Sequence, residues 1–212
     1  MKAPFIVFEG VDGSGKSTAC KMFADILVEK KLPVYSTIEP TNYEIGKIIR
    51  RYLSGEDHDP RVLLFLFLAD RCSHNVLIKK TLNDGFIVVC DRYCLSTRVY
   101  QDECFGEDLM RIFCNNKDIN LVPDLLIYVD ASMDTIMDRI NIRSTKDLFE
   151  STREKVQITH DMYAKTIRYA WKSYGKKLEI VNSNNSLEDM NANLRKIVDK
   201  HWNMFSSALI GV

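Results

Sequence analysis

Short apolar runs alternate along the chain with longer segments in which apolar residues recur every three or four positions. The short runs have the length and composition of buried strands and lie at residues 5–8, 33–38, 86–90, 125–129 and 178–181. The longer segments predict helices at about residues 16–30, 42–54, 60–82, 95–101, 107–115, 133–142, 150–174 and 187–205. Because strand and helix alternate, we expect one α/β domain of three layers, with helices on both faces of a five-stranded parallel sheet.

The size and charge of the chain narrow the possible partners. Its 212 residues suffice for one domain with a full core. Lys plus Arg and Asp plus Glu both total 29, so no net field would recruit nucleic acid or an anionic membrane. No apolar run reaches membrane length, and the N-terminus leads directly into the first strand. We therefore expect a cytoplasmic protein that binds neither nucleic acid nor membrane.

The pattern of the six cysteines also favours a cytoplasmic protein. They occur without any Cys-x-x-Cys pair, and several fall in apolar helix or strand contexts. We interpret all six as reduced packing residues, namely Cys20, Cys72, Cys90, Cys94, Cys104 and Cys114.

The first predicted strand stops at a glycine-rich segment that leads into the first helix. Gly10, Gly15, Lys16 and Ser17 complete the pattern Gly-x-x-x-x-Gly-Lys-Ser. Glycines let the backbone approach a phosphate closely, and the N-terminus of the following helix favours an anion. Lys16 can reach the terminal phosphates, and the hydroxyl of Ser17 can bind Mg²⁺. A glycine turn that merely joins strand and helix is the alternative, but chance rarely supplies the full spacing in this context.

This phosphate loop predicts a site for a nucleoside triphosphate. The residues that we expect to bind it are Gly10, Val11, Asp12, Gly13, Ser14, Gly15, Lys16, Ser17 and Thr18.

Two aspartates that follow predicted strands compete for the second Mg²⁺ ligand. Asp91 follows the strand at 86–90, and Asp130 follows the strand at 125–129. A carboxylate at this end of a strand, beside the phosphate loop, can hold Mg²⁺ directly or through water. We prefer Asp91 because the adjacent Arg92 can hold a second phosphate, whereas Asp130 has the context of a helix cap.

Two further features remain open from the residues alone. Phe67 and Arg71 lie four residues apart on one helix face, and periodicity favours a core phenylalanine and a solvated or ion-paired arginine. The segment at residues 143–150 is polar, carries cations and lacks periodicity. It suits a mobile lid and an ordinary surface loop equally well.

A phosphate loop does not by itself define the reaction. A GTPase-like switch would need an Asn-Lys-x-Asp element, and the nearest approach, Asn116-Lys117-Asp118-Ile119, lacks the final carboxylate. A bare ATPase domain is not excluded, but it gives no use for the isolated arginines at strand and helix ends.

Several short motifs are spread along most of the chain, from Phe8 to about Tyr163. They are Phe-Glu-Gly-Val-Asp-Gly-Ser-Gly-Lys-Ser-Thr at residues 8–18, Glu39-Pro40-Thr41 with Ile45-Gly46-Lys47 and Arg50, Leu-Phe-Leu-Ala-Asp-Arg at residues 66–71, Asp91-Arg92-Tyr93 with Ser96 and Tyr100-Gln101, and Phe149-Glu150. Together these motifs resemble the thymidylate kinase family, whose members phosphorylate dTMP with ATP. The resemblance implies a P-loop NTPase fold with a short lid at about residues 143–149, ATP as phosphoryl donor and Mg²⁺ as cofactor.

The resemblance also implies roles for individual residues. Asp12 would approach the 3′-hydroxyl of the acceptor, and Arg50 and Arg92 would hold its phosphate. Phe67 would stack on thymine and Arg71 would hydrogen-bond its edge, which moves both residues from packing to function. The residues implied to bind dTMP are Asp12, Glu39, Pro40, Arg50, Phe67, Arg71, Arg92, Ser96, Tyr100, Gln101, Phe149 and Glu150. The residues implied in catalysis are Lys16, Arg92, Arg143 and Asp12, with Ser17 and Asp91 on the metal.

The sequence departs from the family pattern in the cations around the transferring phosphoryl group. Some members carry an arginine at the position of Gly13, and others carry lid arginines, including one at the position of Leu148. This chain resembles the lid-arginine type but lacks one such arginine. Arg143 is therefore the leading candidate for the catalytic cation, ahead of Lys146 and Arg153. The Gly-Gly that often follows Glu-Pro is also replaced, by Thr41-Asn42.

The apolar run at 62–69 bears on the oligomeric state. It indicates a helix buried on several sides, with more hydrophobic surface than one sheet face would cover. Since thymidylate kinases are typically homodimers, we expect a homodimer.

Three alternative functions remain, namely a deoxynucleoside kinase, a kinase of another nucleoside monophosphate and a nucleotide-dependent switch. Arg50 and Arg92 argue against the first, because a neutral 5′-hydroxyl gives two arginines no anion to bind.

Overall fold

The sheet contains five parallel strands. A computed structural model describes residues 3–55, 59–101, 116, 119–142, 152–174, 177–206 and 208. The strands are β1 (Phe5–Glu9), β2 (Val34–Ile38), β3 (Ile87–Asp91), β4 (Leu125–Asp130) and β5 (Leu178–Asn182), in the order β2-β3-β1-β4-β5. Every neighbouring pair is parallel. The predicted five-stranded parallel sheet is therefore confirmed, with strands at nearly the predicted positions.

Helices follow the strands and pack around the sheet. They are α1 (Lys16–Glu29), α2 (Glu44–Leu53), α3 (Pro60–Asn83), α4 (Cys94–Gln101), α5 (Met133–Ile142), α6 (Arg153–Tyr174), α7 (Leu187–Lys200) and α8 (Trp202–Ser206). Helices α1 and α7 pack together against the sheet, and α3, α4 and α6 form a second packed group. None of the described helices is both long enough and apolar enough to span a membrane.

The strand order brings the predicted functional segments to one edge of the sheet. In a parallel sheet the carboxyl ends of all strands lie on the same side, and ligands bind in the crevice where the strand order reverses. Here β1 is central, with β3 and β4 as neighbours, so the glycine loop after β1 lies between Asp91 and Asp130. The central strand is completely buried, from Phe5 to Glu9. This burial fixes the base of the loop to the most rigid part of the core.

The structure corrects the expectation that α3 is buried on several sides. Leu63, Leu64 and Leu68 are buried, but a stripe along the opposite face is exposed. We define the α3 stripe as Val62, Phe65, Ala69, Cys72 and Val76, which recur at intervals of three and four residues. A run of apolar residues shows the composition of a helix but not how many of its faces other elements cover. The prediction from residues 62–69 therefore overestimated how much of α3 is buried within one chain.

Two smaller predictions also differ from the structure. The last helix does not continue to residue 205, because α7 ends at Lys200 and α8 begins at Trp202 after a turn at His201. Among the cysteines in the described residues, Cys20, Cys90 and Cys94 are buried as expected, but Cys72 is exposed on the α3 stripe. Cys104, Cys114, the helix predicted at 107–115 and the lid predicted at 143–149 lie outside the described residues.

Gly46 on α2 controls how closely this helix approaches the segment after β2. A Cβ atom at Gly46 would lie 1.8 Å from the carbonyl oxygen of Thr41. Thr41 has no freedom to retreat, because Asp70 accepts hydrogen bonds from its backbone N–H at 2.7 Å and from its hydroxyl at 2.6 Å. The small residue is therefore required to place the Glu39–Thr41 segment beside α3.

We predict that Gly46→Ala destabilises the protein by about 2 kcal/mol, since overpacking against a fixed backbone costs about 1–3 kcal/mol. Thermal unfolding followed by circular dichroism should show a melting temperature lower by roughly 4–8 °C. Lys47→Ala is the matched control, because Lys47 is the exposed neighbour of Gly46. Equal melting temperatures for the two variants would contradict this account of Gly46.

Candidate active site

The glycine loop after β1 needs its glycines for close packing. A Cβ atom at Gly10 would lie 2.6 Å from the carbonyl oxygen of Val129 on β4. Gly13 has a φ of +84° and a Cβ there would lie 2.8 Å from the carbonyl oxygen of Ile136. Any larger residue at either position would push the loop away from β4 and α5. The loop then runs directly into α1, which begins at Lys16, so the N–H groups of the first turn of α1 lie beside it.

Arg139 on α5 holds the loop from behind. Its Nη1 donates to the carbonyl oxygen of Gly13 at 3.2 Å and to the hydroxyl of Ser183 at 3.1 Å. Its Nη2 donates to the carbonyl oxygen of Ser183 at 2.6 Å. The Ser183 hydroxyl in turn donates to the carbonyl oxygen of Ser14. The loop carbonyls are therefore bound to α5 and to the end of β5.

Lys16 and Asp91 form a buried ion pair at the start of α1. Lys16 Nζ lies 2.9 Å from Asp91 Oδ1, and the two side chains are 6% and 7% exposed. No described residue makes a well-directed hydrogen bond to that carboxylate oxygen. Ser17 and Asp91 line the same cavity of about 390 Å³. A hydroxyl and a carboxylate oxygen that face one space fit the hard oxygen ligands that Mg²⁺ prefers.

Arg92 follows β3 and crosses to the glycine loop. Its φ of +70° is unusual for a residue with a side chain and is typical of functional positions. Its Nη2 donates to Asp12 Oδ1, and the hydroxyl of Tyr100 donates to Asp12 Oδ2 at 2.9 Å. Burial opposes the ionisation of Asp12, but the charges of Arg92 and Lys16 and the two hydrogen bonds lower its pKa to about 2. Asp12 is therefore a carboxylate at neutral pH.

Glu9, a residue that the sequence reasoning did not single out, lies behind Arg92. Its Oε1 accepts the backbone N–H groups of Tyr93 at 2.9 Å and Ser96 at 3.2 Å. Its Oε2 accepts the hydroxyls of Ser96 at 2.6 Å and Tyr163 at 3.0 Å. Those two hydroxyl oxygens accept from Arg92 Nη1, both at 3.2 Å. Burial raises the pKa of Glu9, against the hydrogen bond from Ser96 and the charge of Arg92.

Arg71 on α3 is buried and held on several sides. Its Nε donates to Glu39 Oε2 at 2.9 Å, and its Nη2 lies 2.8 Å from the same oxygen in an ion pair. Nη2 also donates to the hydroxyl of Thr97 at 2.8 Å, and the guanidinium lies 5.0 Å from the ring centroid of Tyr93. His74, one turn further along α3, binds the other oxygen of Glu39 at 3.0 Å. The arginine is ion-paired, as one sequence-based alternative held, but it is not solvated.

A cavity of about 190 Å³ brings the predicted acceptor residues together. It is lined by all the predicted dTMP-binding residues that the structure describes, namely Asp12, Glu39, Pro40, Arg50, Phe67, Arg71, Arg92, Ser96, Tyr100 and Gln101. Leu53, Tyr93 and Thr97 also line it and were not predicted. Tyr93 lies within the quoted motif and Thr97 beside Ser96 on α4, so helical spacing from the predicted residues could have found both. Phe149, Glu150, Arg143 and Lys146 lie outside the described residues.

Arg50 and Gln101 both line the cavity, but only Arg50 has hydrogen-bond partners for its side chain within the described residues. Arg50 donates to the carbonyl oxygens of Thr41 at 2.7 Å and Pro40 at 2.5 Å. Gln101 is 2% exposed, and within the described residues neither its amide oxygen nor its amide nitrogen has a hydrogen-bond partner. A buried amide without partners is costly in a folded protein. Its position on the cavity indicates that a polar ligand is its missing partner.

This arrangement defines a class of protein. A phosphate loop at the end of the central strand, a carboxylate beside its serine, and a second polar pocket next to the loop are the features of a P-loop nucleotide-binding protein with two adjoining ligand sites. The family model for thymidylate kinase matches residues 8–194. The chain belongs to the thymidylate kinase family.

Individual relatives agree with the family match. The chain is 36% identical over 198 residues to a probable thymidylate kinase of Methanococcus aeolicus, covering 92% of this chain and 96% of the relative. It is 34% identical over 208 residues to a probable thymidylate kinase of Pyrococcus horikoshii, covering 95% and 98%. A thymidylate kinase of Leptospira borgpetersenii is 38% identical over 165 residues, covering 74% and 78%.

The low pKa of Asp12 predicts a specific pH dependence of stability. Its pKa is about 2 in the folded protein against an ordinary value of 3.8. Ionised Asp12 therefore stabilises the fold above about pH 4, and this contribution is lost as the pH falls toward 2. We predict that Asp12→Asn lowers the free energy of unfolding by about 2 kcal/mol at pH 7, with a difference that shrinks toward pH 2. Urea unfolding across this pH range measures it.

Asp25→Asn is the matched control. Asp25 is 60% exposed and pairs only with Lys21 on the same helix in the described structure, at 3.2 Å. Exposed pairs of this kind contribute little to stability. A difference for Asp12→Asn that stayed constant between pH 7 and pH 2 would contradict the assignment of the low pKa to the Arg92–Asp12 pair.

Proposed function

We propose that this protein transfers the γ-phosphoryl group of ATP to dTMP, giving dTDP and ADP. The single observation that carries the proposal is that Arg71 and Gln101 both line the cavity beside the phosphate loop. Arg71 is held in place by Glu39 and Thr97, and Gln101 is buried with no partner for its amide. Family membership supports the same reaction.

The base edge of dTMP matches the two side chains. Thymine presents an acceptor at O4 beside a donor at N3–H, and a glutamine amide offers one donor and one acceptor. The amide alone could turn over and pair with cytosine equally well. Arg71 carries only donors, so it favours the O4 of thymine over the amine of cytosine. Phe67, half-buried on the same helix face, would stack on the base, and Ser96 would line the pocket.

The phosphate of the acceptor would lie between Arg50 and Arg92. Both arginines line the cavity, one on α2 and one after β3. Arg50 must exchange its bonds to the carbonyls of Pro40 and Thr41 for bonds to the phosphate. Asp12 would approach the 3′-hydroxyl, and Tyr100 would pack against the deoxyribose at a distance that leaves no room for a 2′-hydroxyl.

ATP would bind along the glycine loop, from Gly10 to Thr18. The N–H groups of the loop and the first turn of α1 would bind its phosphates, and Lys16 would leave Asp91 for the terminal ones. Ser17 and Asp91 would hold Mg²⁺. That ion supplies charge neutralisation on the phosphate oxygens. Because the transferred group needs placement and neutralisation more than covalent help, no cysteine is required as a nucleophile.

The lid would exclude water and supply the last cation. We propose Arg143 for this role, with Phe149 and Glu150 closing over the acceptor. Arg153, a rival for the role, forms an exposed ion pair with Asp134 on α5 at 2.8 Å. That contact directs the Arg153 guanidinium toward α5, so we place Arg153 behind Arg143 for the catalytic role.

We also propose a homodimer in the cytoplasm. The α3 stripe supports the dimer, because Phe65 is 55% exposed and Val76 is 71% exposed on one helix face. A continuous exposed apolar stripe is typical of surfaces that bind another protein chain.

The substrate test is a coupled assay of ADP release with ATP and each deoxy- and ribonucleoside monophosphate, and with thymidine. We predict the highest kcat/KM for dTMP and no turnover of thymidine, since the two arginines need a phosphate to bind. Turnover of thymidine, or a stronger preference for another monophosphate, would overturn the proposal.

The same panel with Arg71→Ala locates the base site. The variant should lose at least about tenfold in kcat/KM for dTMP and discriminate less against dCMP, because a site built to bind one edge penalises unpaired partners. Lys79→Ala serves as the control, since Lys79 is an exposed residue on the same helix.

The loop lysine gives a separate prediction about chemistry. Lys16→Ala should lower kcat by more than about a hundredfold, roughly 2.7 kcal/mol, because the lysine neutralises charge that develops in the transition state. Stopped-flow or quench-flow measurement of dTDP formation would show it. Lys21→Ala, an exposed lysine on the same helix, is the control. A Lys16→Ala variant within about tenfold of the parent would contradict the role.

A further inference from the structure

We infer that His74 is a positioning residue that sets base selectivity by acting through Glu39 on Arg71. The inference rests on the proposed function, since it concerns the recognition of the dTMP base. His74 itself does not line the cavity. It is 1% exposed and contacts Glu39, which lines the cavity together with its partner Arg71.

The observation is a continuous chain of hydrogen bonds from β2 to the cavity. The hydroxyl of Thr37 lies 2.8 Å from His74 Nε2. His74 Nδ1 lies 3.0 Å from Glu39 Oε1. Glu39 Oε2 then accepts from Arg71 Nε at 2.9 Å and lies 2.8 Å from Arg71 Nη2. Glu39 is 3% exposed, so water does not substitute for these partners.

The chemistry of the groups fixes the direction of the bond between His74 and Glu39. A carboxylate paired with an arginine only accepts, so His74 Nδ1 must carry a proton and donate to Glu39. Glu39 therefore selects the form of His74 in which Nδ1 carries a proton. The hydroxyl of Thr37 can donate or accept, so it pairs with Nε2 and helps to hold the ring in place.

The two oxygens of Glu39 have separate tasks. Within the described residues Oε2 accepts only from Arg71, and Oε1 accepts only from His74. Without the imidazole donor, Oε1 would be a buried charged oxygen with no partner, which is strongly unfavourable. The carboxylate would then turn to share both oxygens with Arg71, and the guanidinium would turn with it.

Such a rotation matters because, among the described residues, Nη1 of Arg71 is the nitrogen with the weakest contact. Nε and Nη2 are occupied by Glu39 and Thr97. Within the described part of the chain, Nη1 has one long contact, 3.5 Å to the side-chain oxygen of Asn120. Nη1 is therefore the donor that can reach O4 of the base, and His74 determines where it lies. Displacements of about 1 Å at such a site cost up to about a hundredfold in rate or affinity.

Two amide substitutions at position 74 test whether the hydrogen bond to Glu39, and not the bulk of the imidazole ring, is what matters. An asparagine amide at position 74 can place its nitrogen where Nδ1 lies and keep the donor. A glutamine amide reaches the position of Nε2 near Thr37 and leaves Oε1 of Glu39 unpaired. His74→Gln is therefore the disruptive variant and His74→Asn is the rescue. Thr81→Val is the matched control, because Thr81 is a buried polar residue of α3 that does not line the cavity.

The experiment measures kcat and KM for dTMP and dCMP, together with the dissociation constant of dTMP by calorimetry in the absence of ATP. We expect His74→Gln to raise KM and the dissociation constant for dTMP about tenfold and to reduce the preference for dTMP over dCMP about tenfold, with kcat within about twofold of the parent. His74→Asn should stay within about threefold of the parent. Thr81→Val should change stability without changing the preference.

The outcomes distinguish this inference from the proposed function. If the parent protein does not phosphorylate dTMP, the proposed function fails and the inference fails with it. If the parent does so, and His74→Gln keeps its KM and its base preference, only the inference is overturned. Equal losses in His74→Gln and His74→Asn would also overturn it, because they would show a packing role for the ring.

A second variant covers the case in which His74→Gln does not fold. Thr37→Val leaves His74 in place but removes the hydroxyl that pairs with its Nε2 and helps to hold the ring against Glu39. We expect it to raise KM for dTMP about threefold while kcat and the dissociation constant of ATP stay unchanged. A KM within the error of the parent value would overturn the inference.

Discussion

Three cations at the ligand-binding edge of the sheet are each held by a carboxylate of the protein itself. The pairs are Lys16–Asp91, Arg92–Asp12 and Arg71–Glu39. A buried cation without such a partner would destabilise the fold by several kcal/mol. Each pair also joins segments that follow different strands or lie on different helices. The pairs therefore keep the site assembled and hold the positive charges in place for anionic substrates.

The carboxylates in turn need their own support. Glu9 receives four hydrogen bonds from donors only, two of them backbone N–H groups at the start of α4. It therefore anchors the helix that carries Ser96, Tyr100 and Gln101, and it orients two hydroxyls so that their oxygens accept from Arg92. Burial raises the pKa values of Tyr100 and Tyr163, so both phenols keep the protons that they donate.

The sequence predicted those parts of the site that are encoded locally. The glycine loop, Asp91 with Arg92, and the strand ends were visible because each lies within a short motif or a periodic segment. Glu9 was missed because its partners lie 84, 87 and 154 residues away along the chain. His74 was missed because a buried histidine on an apolar helix has the pattern of a packing residue. The exposed α3 stripe was not predictable, because composition does not show which face of a helix its own chain covers.

The two halves of the proposed acceptor pocket differ in how much they would change when a ligand binds. On the proposed base side, Arg71 is bound by Glu39 and Thr97 and lies over the ring of Tyr93, and none of these contacts would have to be given up for the base. On the proposed phosphate side, Arg50 would leave two carbonyl oxygens, and in the adjoining ATP site Lys16 would leave Asp91. A base of the wrong pattern would meet an arginine that is already held in place, so base discrimination would need no rearrangement. Binding of the phosphates would compensate for the contacts that Arg50 and Lys16 lose, so rearrangement of these two cations would depend on the anionic part of each substrate.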